Sequence, residues 1–384
     1  MHWIGLISGT SADGIDAALV RIGDDVTRLE LLSSHTEPID EALRIRIHEA
    51  GEGAVTLRDL LRLDRELGER FAEAAEQVAR AAGVATTDVE GIGSHGQTVA
   101  HFPEPEVGGS LQLGAPSVIH ERTGIPVVAD FRSADIAAGG EGAPLTPFFH
   151  QVYFSRDQER RAVLNIGGFT NVTYLPGRCQ DGLVAFDPGP GNALLDRVVR
   201  QATGGRERFD RDGVRARDGQ VLDGVVEQLL EEPYLAARPP KSTGHERFGR
   251  EFLESAAELV RAAGGGVDDL LATLAAFTIE AVVRSADQFF SGPVDRWIVY
   301  GGGVHNPALL EGLRRRVAPR PVDLSDVHGI PVDALEAIVF AVLGWASSRG
   351  VPANVPRATG ARHAAVLGAV IPPGAFGAAS ELDP

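Results

Sequence analysis

The chain contains a single cysteine, Cys179, among its 384 residues. One cysteine excludes an intramolecular disulfide and any zinc site built from several cysteines. This usage is typical of a reducing compartment, and the first apolar strand pattern begins at once, without a basic leader or a cleavable apolar segment. We therefore expect a cytoplasmic location.

Long apolar runs and an excess of positive charge are also missing. The longest apolar-leaning run, residues 270–283, is shorter than the roughly 20 residues that a helix needs to cross a bilayer. The formal net charge of −17 would repel nucleic acid and acidic membrane surfaces. The sequence therefore predicts neither a membrane span nor a nucleic-acid partner.

Glycine, by contrast, is abundant, with 46 residues that fall largely in short clusters between apolar runs. The chain length favours about two domains. A glycine-rich stretch at 137–144 has the composition of a hinge, so we expect domain I at 1–130, with 350–384 able to complete it, and domain II at 131–349. Closure would then occur about residues 131–144.

The opening stretch predicts a β-hairpin with a polar turn. Apolar runs at 3–7 and 15–20 flank a turn of small and acidic residues. Glycines there allow close backbone approach, hydroxyls donate hydrogen bonds, and two carboxylates suit a hydrated cation, so the turn fits a phosphate chain carrying Mg²⁺. The residues are Gly9, Thr10, Ser11, Asp13, Gly14 and Asp16. An ordinary Ser/Asp-rich turn is the alternative.

Further polar residues follow in the first half. A third strand at 28–34 and an amphipathic helix from Thr56 to Gly83 precede the strand at 89–93. His95 and Gln97 would share one face if that strand continued, although a hydrogen-bonded structural histidine is the alternative. Asp130 and Arg132, at the end of an apolar strand, could grip a polar substrate or simply pair with each other.

The second half repeats this plan. Strands at 161–166 and 172–175 enclose a glycine turn, which predicts a second phosphate-facing hairpin and a duplicated architecture. Asp187 follows the strand at 183–186 and precedes a rigid Pro/Gly turn, a placement that suits a general base or, alternatively, an Asx turn or helix cap. The lone Lys241 lies in a segment that predicts a surface loop.

A last strand–glycine–helix unit has two interpretations. Gly301 and Gly303 match half of a dinucleotide fingerprint, and Asp323 stands where a ribose-binding acid would, which would indicate NAD. However, Asn306 occupies the third glycine position, so we favour the adenosine or α-phosphate of a nucleotide at this turn. Glu336 lies near the start of the closing helix, where its charge could simply complement the helix dipole. The stretch 366–370 should return to domain I, and a loose tail should follow from 372.

Several of these motifs together resemble the anhydro-N-acetylmuramic acid kinase family. The match covers residues 8–16, 94–98, 130–132, 137–145, 165–168, 186–192, 240–244 and 301–306, in family order. The resemblance implies a two-domain α/β fold like that of actin, hexokinase and the heat-shock chaperone ATPases, with a duplicated mixed β-sheet and helices around an interdomain cleft. It also implies a homodimer.

The resemblance further implies an activity and its residues. The family uses ATP to open the 1,6-anhydro bridge of 1,6-anhydro-N-acetylmuramic acid and to phosphorylate O6, giving N-acetylmuramate 6-phosphate and ADP in peptidoglycan recycling. Asp187 would activate the attacking water. Mg²⁺ would bind near Asp13 and Asp16, through phosphates and water. The sugar would contact His95, Gln97, Asp130, Arg132 and Glu336. ATP would contact the residues of the three glycine turns, namely Gly9, Thr10, Ser11, Ala12, Asp13, Gly14, Ile15, Asp16, Asn165, Gly167, Gly168, Gly301, Gly302, Gly303 and Asn306. An actin- or chaperone-like nucleotide switch is the alternative.

Overall fold

A computed structural model of the chain describes residues 1–102, 106–178 and 181–372. Cys179 and almost all of the predicted tail lie outside these residues. The strands are β1 His2–Ser8, β2 Gly14–Ile22, β3 Leu29–Pro38, β4 Val89–Phe102, β5 Gly109–Leu113, β6 Val127–Ala129, β7 Arg161–Ile166, β8 Phe169–Leu175, β9 Val184–Pro190, β10 Arg296–Tyr300, β11 Val322–Leu324 and β12 Ala369–Ile371.

The helices alternate with these strands. They are α1 Glu41–Gly51, α2 Leu57–Ala81, α3 Pro116–Thr123, α4 Ser133–Ala137, α5 Pro147–Phe149, α6 Asn192–Thr203, α7 Val214–Asp218, α8 Asp223–Leu229, α9 Pro233–Ala236, α10 Arg250–Ala262, α11 Val267–Phe289, α12 Pro307–Val317, α13 Leu335–Ser348 and α14 Pro356–Thr359. Within the described ranges, none of them is both long and apolar enough to cross a membrane.

The chain divides into two compact units. Unit 1 comprises Met1–Tyr153 and the chain from Ala334 onward, and unit 2 comprises Phe154–Asp333. These boundaries differ from the predicted ones at 130 and 349. Helix α13 belongs to unit 1 because it packs on β1, β2 and β4.

The two units contain sheets of the same design. In unit 1, β3, β2 and β1 are antiparallel neighbours, and β4 and then β6 continue the sheet parallel to β1; β12 lies beyond β6 and β5 beside β4. In unit 2, β9, β8 and β7 are antiparallel, and β10 and then β11 continue parallel to β7. The predicted α/β fold with a duplicated mixed sheet is therefore confirmed.

The core of unit 1 forms where local sequence signals and packing agree. Helix α2 is capped by Thr56, whose side chain accepts a hydrogen bond from the Asp59 N–H. Its apolar stripe, which includes the fully buried Leu67 and Phe71, belongs to the core cluster that also contains residues of β1, β2 and β4. The predicted amphipathic helix is confirmed, and so is the return of the chain end, since β12 pairs with β6.

Glycines allow helix α13 to lie directly on the sheet of unit 1. A Cβ atom added at Gly5 would overlap the carbonyl oxygen of Ala337, and one added at Gly93 would overlap that of Phe340. Both glycines lie in neighbouring strands, β1 and β4. This close approach fixes the first turn of α13, which carries Glu336.

The predicted hinge at 131–144 lies inside unit 1 and is not a crossing between units. Asp135 in α4 is fully buried and accepts hydrogen bonds from Asn354 Nδ2 at 2.7 Å, Thr359 Oγ1 at 2.7 Å and the Gly142 N–H at 2.8 Å. A carboxylate held in this way ties the glycine-rich loop to the C-terminal segment. The chain instead crosses between the units at 153–154 and 333–334.

The contact between α13 and the sheet yields a stability prediction. Gly5→Ala should lower the free energy of unfolding by about 1–3 kcal/mol, because the added methyl meets helix backbone that cannot move aside cheaply. Gly224→Ala in α8 is the matched control, since a Cβ there meets open space and should change stability by less than about 1 kcal/mol. Urea unfolding measures both, and equal midpoints would contradict the close packing.

Candidate active site

The predicted phosphate hairpin of unit 1 is formed by β1, β2 and the turn between them. Gln97 holds this turn through two hydrogen bonds. Its Nε2 donates to the Gly9 carbonyl at 3.1 Å, and its Oε1 accepts from Ser8 Oγ at 2.6 Å. Both ends of the Gln97 amide are thus engaged inside the hairpin. Its contacts are those of a residue that shapes the turn.

The turn exposes its polar residues and buries its apolar ones. Thr10, Ser11 and Asp13 are exposed, and Ser11 Oγ donates to Asp13 Oδ1 at 2.9 Å. Ala12 and Ile15 are fully buried, so only their main-chain groups are able to face a ligand. Ala12 adopts φ 49°, a left-handed conformation that is uncommon outside glycine and that is held by its N–H bond to the Gly9 carbonyl.

A second group of polar residues in unit 1 surrounds Glu336. Burial raises the pKa of the Glu336 carboxyl from its ordinary value of 4.5 to about 7; the negative charge of Asp16 adds to the shift, and Arg132 opposes it. Asp16 itself accepts from Thr36 Oγ1 at 2.6 Å. A carboxyl that titrates near neutrality is suited to proton transfer or to a hydrogen bond with a sugar hydroxyl.

Arg132 is oriented by His95 and by the loop that Asp135 fixes. Its Nη1 donates to the Gly142 carbonyl at 2.8 Å, and its Nε and Nη2 lie 3.2 and 2.9 Å from His95 Nε2. Because a guanidinium can only donate, Nε2 must be the acceptor, and Nδ1 carries the proton towards the Gly96 carbonyl at 3.0 Å. Burial and Arg132 keep the pKa of His95 well below its usual value, so the ring is neutral.

A bulge in β4 changes the predicted geometry of this strand. Between Ser94 and Gln97 the strand has one residue more than β1, which pairs with it, and Gly96 adopts φ 77°. Unbroken alternation through 95–97 would have placed the two side chains on one face. With the bulge, the two side chains contact different groups, since His95 meets Arg132 whereas Gln97 meets the hairpin turn.

Asp130 stands at the end of β6 in an unusual conformation. It is exposed, adopts φ 55° and accepts a hydrogen bond from Ser133 Oγ at 2.6 Å. Strained non-glycine residues of this kind are concentrated at functional sites. In unit 1, the predicted sugar-binding residues therefore lie on β4 (His95 and Gln97), just after β6 (Asp130 and Arg132) and in the first turn of α13 (Glu336).

In unit 2, two glycine turns meet the end of β7. The Gly167 and Gly168 carbonyls accept the first N–H groups of the α6 segment, including Asn192 N at 2.8 Å from Gly167 O. A Cβ at Gly301 would overlap Oδ1 of the buried Asn165. The second hairpin and the Gly301 turn therefore lie next to each other in unit 2.

The rest of the Gly301 turn fits a nucleotide loop better than a dinucleotide fingerprint. Gly302 is exposed with open space beside it, whereas Gly303 packs on Ile166. Asn306 is 7% exposed and caps α12 by accepting the Ala308 N–H at 3.0 Å. Asp323, the candidate ribose acid, instead accepts from Arg296 Nη1 at 2.6 Å and contacts His328.

Asp187 lies within a bulge of β9, an edge strand of the unit 2 sheet. Between Phe186 and Gly189, β9 has one residue more than β8, and Pro188 has no N–H to offer the ladder. The half-buried Asp187 receives a hydrogen bond to Oδ2 from the Thr243 N–H at 3.2 Å. Its own N–H donates to the Lys241 carbonyl at 3.1 Å, and its carbonyl accepts from Tyr234 OH at 2.8 Å.

The prediction of a surface loop around Lys241 is wrong for this residue. Lys241 is 8% exposed, and burial lowers its pKa to about 8, against the opposing effect of Asp187. The Pro239–Pro240 pair before Lys241 predicts an extended loop. The groups that bury Lys241 come from other elements, β9, α9 and α11, which the local sequence does not reveal. Thr243 was not singled out either, although its N–H contacts the Asp187 carboxylate and its buried Oγ1 has no hydrogen-bond partner among the described residues.

The acidic residues give limited support for a metal ion. Within the described residues, no group of three or more His, Cys, Asp or Glu side chains is arranged to hold one. Asp13 and Asp16 nevertheless fit the way in which Mg²⁺ usually binds beside a nucleotide, through one or two carboxylates, phosphates and water. They fit a Mg²⁺ that arrives with its nucleotide.

Comparison with known proteins decides the family. The family model described as anhydro-N-acetylmuramic acid kinase matches residues 1–373. A protein of that name from a Cyanothece species is 42% identical over 380 residues, covering 96% of this chain and 98% of the relative. Another, from Xanthomonas campestris, is 44% identical over 374 residues, covering 96% and 97%. The chain belongs to the anhydro-N-acetylmuramic acid kinase family.

Membership of the anhydro-N-acetylmuramic acid kinase family confirms the predicted family and the prediction that the chain is an enzyme, a phosphotransferase.

Among solved structures, component A of Acidaminococcus fermentans (R)-2-hydroxyglutaryl-CoA dehydratase has a TM-score of 0.46 at 11% identity, covering 91% of this chain and 99% of that one. A ROK family glucokinase from Streptomyces griseus has a TM-score of 0.41 at 16% identity, covering 90% and 99%. Likenesses this distant carry no conclusion about substrates.

The raised pKa of Glu336 predicts a pH-dependent stability in the ligand-free protein. Between pH 4.5 and 7 the folded state binds more protons than the unfolded state, so the free energy of unfolding falls as pH rises, by about 3 kcal/mol from this group. Glu336→Gln lacks this contribution. Urea unfolding from pH 4.5 to 7.5 should therefore show wild type losing stability relative to that variant.

The exposed Glu52 provides a control for this experiment, since Glu52→Gln should follow wild type at every pH. Parallel curves for wild type and Glu336→Gln would show that the Glu336 carboxyl is not held in a charge-disfavouring site.

Proposed function

We propose that this kinase acts on 1,6-anhydro-N-acetylmuramic acid, hydrolysing its 1,6 bridge and transferring the γ-phosphoryl group of ATP to O6. The products would be N-acetylmuramate 6-phosphate and ADP, which places the enzyme in cell-wall recycling. The family membership supports the kinase role. The single observation that supports the hydrolytic step is the position of Asp187, whose carboxylate accepts the Thr243 N–H and whose main-chain carbonyl accepts the Tyr234 hydroxyl.

Asp187 is suited to the role of general base. A base must be held within hydrogen-bond reach of the proton that it removes. The β9 bulge turns the residue out of the ladder, and the Thr243 N–H engages one carboxylate oxygen. In the proposed step, Asp187 takes a proton from water as the water oxygen bonds to the anomeric carbon and the bond from that carbon to O6 breaks.

The freed O6 then attacks the γ-phosphorus, and the bond to the bridging oxygen of ADP breaks. Because the developing charge lies on phosphoryl oxygens, donors along the hairpin turns would stabilise it. The exposed Thr10 and Ser11 and the glycine turns at 167–168 and 301–303 are the groups proposed to bind ATP. Asp13 and Asp16 would hold Mg²⁺ through water, and the ion would supply charge neutralisation at the phosphates.

The sugar is proposed to bind the polar set of unit 1. Arg132 offers a guanidinium oriented by His95, and Glu336 offers a carboxyl that can donate or accept near neutral pH. N-Acetylmuramic acid carries a lactyl carboxylate and an acetamide, which are natural partners for such groups. Asp130 is proposed to contact a hydroxyl, while His95 and Gln97 act by holding Arg132 and the hairpin turn.

We also propose a cytoplasmic location and a homodimer for this enzyme. A cytoplasmic location agrees with a substrate that must meet ATP. Homodimer formation follows from the family resemblance stated above, and a sizing measurement would test it.

The substrate requirement can be tested with the purified protein and Mg·ATP. ADP should form when 1,6-anhydro-N-acetylmuramic acid is present and should scarcely form without it or with N-acetylmuramic acid, which lacks the bridge. A coupled ADP assay across a small panel of 1,6-anhydrosugars measures this. Brisk ADP release that is indifferent to sugar would favour the nucleotide switch.

The role of Asp187 predicts a large and selective kinetic loss. Asp187→Asn should lower kcat by about 10²–10⁴-fold, because the amide cannot accept the proton, while ATP binding by calorimetry stays close to wild type. Asp218→Asn, at an exposed carboxylate of α7, should leave kcat unchanged. Near-normal turnover by Asp187→Asn would remove the residue from the mechanism.

A further inference from the structure

Lys241 is the one lysine in the chain. The other 35 of its 36 lysine and arginine residues are arginines. Arginine is therefore used wherever this protein needs a surface cation, an ion pair or a helix-end charge. A single lysine that is 8% exposed indicates a position where a guanidinium does not serve.

The surroundings of Lys241 explain this choice. Its Nζ donates to the carbonyls of Tyr234 at 3.2 Å and Leu235 at 3.0 Å. It also lies 4.7, 4.9 and 5.4 Å from the ring centroids of Tyr234, Phe289 and Phe186. Three rings and two carbonyls form a cage for a compact ammonium ion, whereas a planar guanidinium with five donors would need more room and more acceptors.

The elements that hold the ammonium also hold Asp187. The Lys241 carbonyl accepts the Asp187 N–H, and two residues further on the Thr243 N–H donates to Asp187 Oδ2. Tyr234, whose ring and carbonyl contact the ammonium, donates its hydroxyl to the Asp187 carbonyl. Phe186, the neighbour of Asp187 in β9, supplies another wall of the cage.

We propose that Lys241 is a positioning residue for Asp187: its caged ammonium locks segment 234–243 onto β9 and so aims the carboxylate. This inference rests on the proposed function, in which Asp187 is the base. The lock needs the charged ammonium, because both carbonyls and all three rings attract a cation. Loss of the proton should loosen it.

The charge state of Lys241 is sensitive to its neighbours. Burial lowers its pKa to about 8, and Asp187, from β9, acts in the opposite direction. Other titratable or charged groups on or beside these elements are Tyr234 of α9, the Arg247–Glu232 ion pair, and Glu280, Arg284 and Asp287 of α11. The Arg247 guanidinium lies 5.5 Å from the Tyr234 ring, and Asp187 is the charge that acts on the pKa of Lys241. The charge coupling is therefore chiefly between Lys241 and Asp187.

The coupling can be measured without any activity. Labelling with [ε-¹³C]lysine gives a single side-chain NMR signal, because the chain has one lysine. We expect its titration midpoint near pH 8, and a midpoint lower by about half a unit or more in Asp187→Asn. A midpoint near 10.5, or one that is the same in both proteins, would overturn the coupling.

Kinetics test the positioning itself. Lys241→Met keeps length and apolar contacts but removes the charge, so kcat should fall by about tenfold or more while the KM for ATP changes by less than about twofold. Lys241→Arg should not restore kcat, because the cage does not suit a guanidinium. In wild type, kcat should also fall as pH rises through 8. Arg250→Met, at an exposed side chain, is the control and should match wild type.

The outcomes separate this inference from the proposed function. A folded Lys241→Met protein with unchanged kcat would overturn the positioning role, even if Asp187→Asn is inactive. If Asp187→Asn keeps full activity, the proposed base fails, whereas the NMR coupling is decided independently. Should Lys241→Met not fold, judged by circular dichroism, the wild-type NMR midpoint and its shift in Asp187→Asn decide the question.

Discussion

The orientation of Asp187, the proposed base, depends on an edge strand whose free side is covered. β9 is the last strand of the unit 2 sheet, and beyond it lies segment 234–243 instead of another strand. That segment bonds both main-chain groups of Asp187 and one carboxylate oxygen. Edge strands otherwise present unpaired donors and acceptors. Here the covering segment and the bulge together hold a carboxylate out of the ladder in one orientation, which a general base requires.

The same principle recurs in unit 1, where close packing and hydrogen bonds leave the polar groups little freedom. Glycines in β1 and β4 let α13 settle on the sheet and fix Glu336, while buried Asp135 fixes the loop whose carbonyl orients Arg132. His95 is neutral and accepts from Arg132, so it directs a cation without adding charge. Glu336 and Arg132 are thus each held in place by neighbouring groups of unit 1.

Much of the fold was predictable because its signals are local. Turn residues between apolar runs predict the two hairpins. Periodicity and capping residues predict α2 after Thr56 and α12 after Asn306. The boundaries of the two compact units differ from the expected ones because loop composition says nothing of Asp135, whose partners Asn354 and Thr359 lie 219 and 224 residues away. Lys241 was misjudged for the same reason, since its cage is assembled from β9, α9 and α11. The bulges at Gly96 and Asp187 carry no sequence signal beyond glycine and proline.

In the proposed reaction, water reacts with the sugar and not with ATP. Running the reaction in H₂¹⁸O and analysing fresh products by mass spectrometry tests this directly. We expect one ¹⁸O at the anomeric position of the sugar phosphate and none in its phosphoryl group, since O6 of the substrate becomes the bridging oxygen. Label in released inorganic phosphate, with the anhydrosugar unchanged, would contradict it and would instead describe a nucleotide-hydrolysing switch.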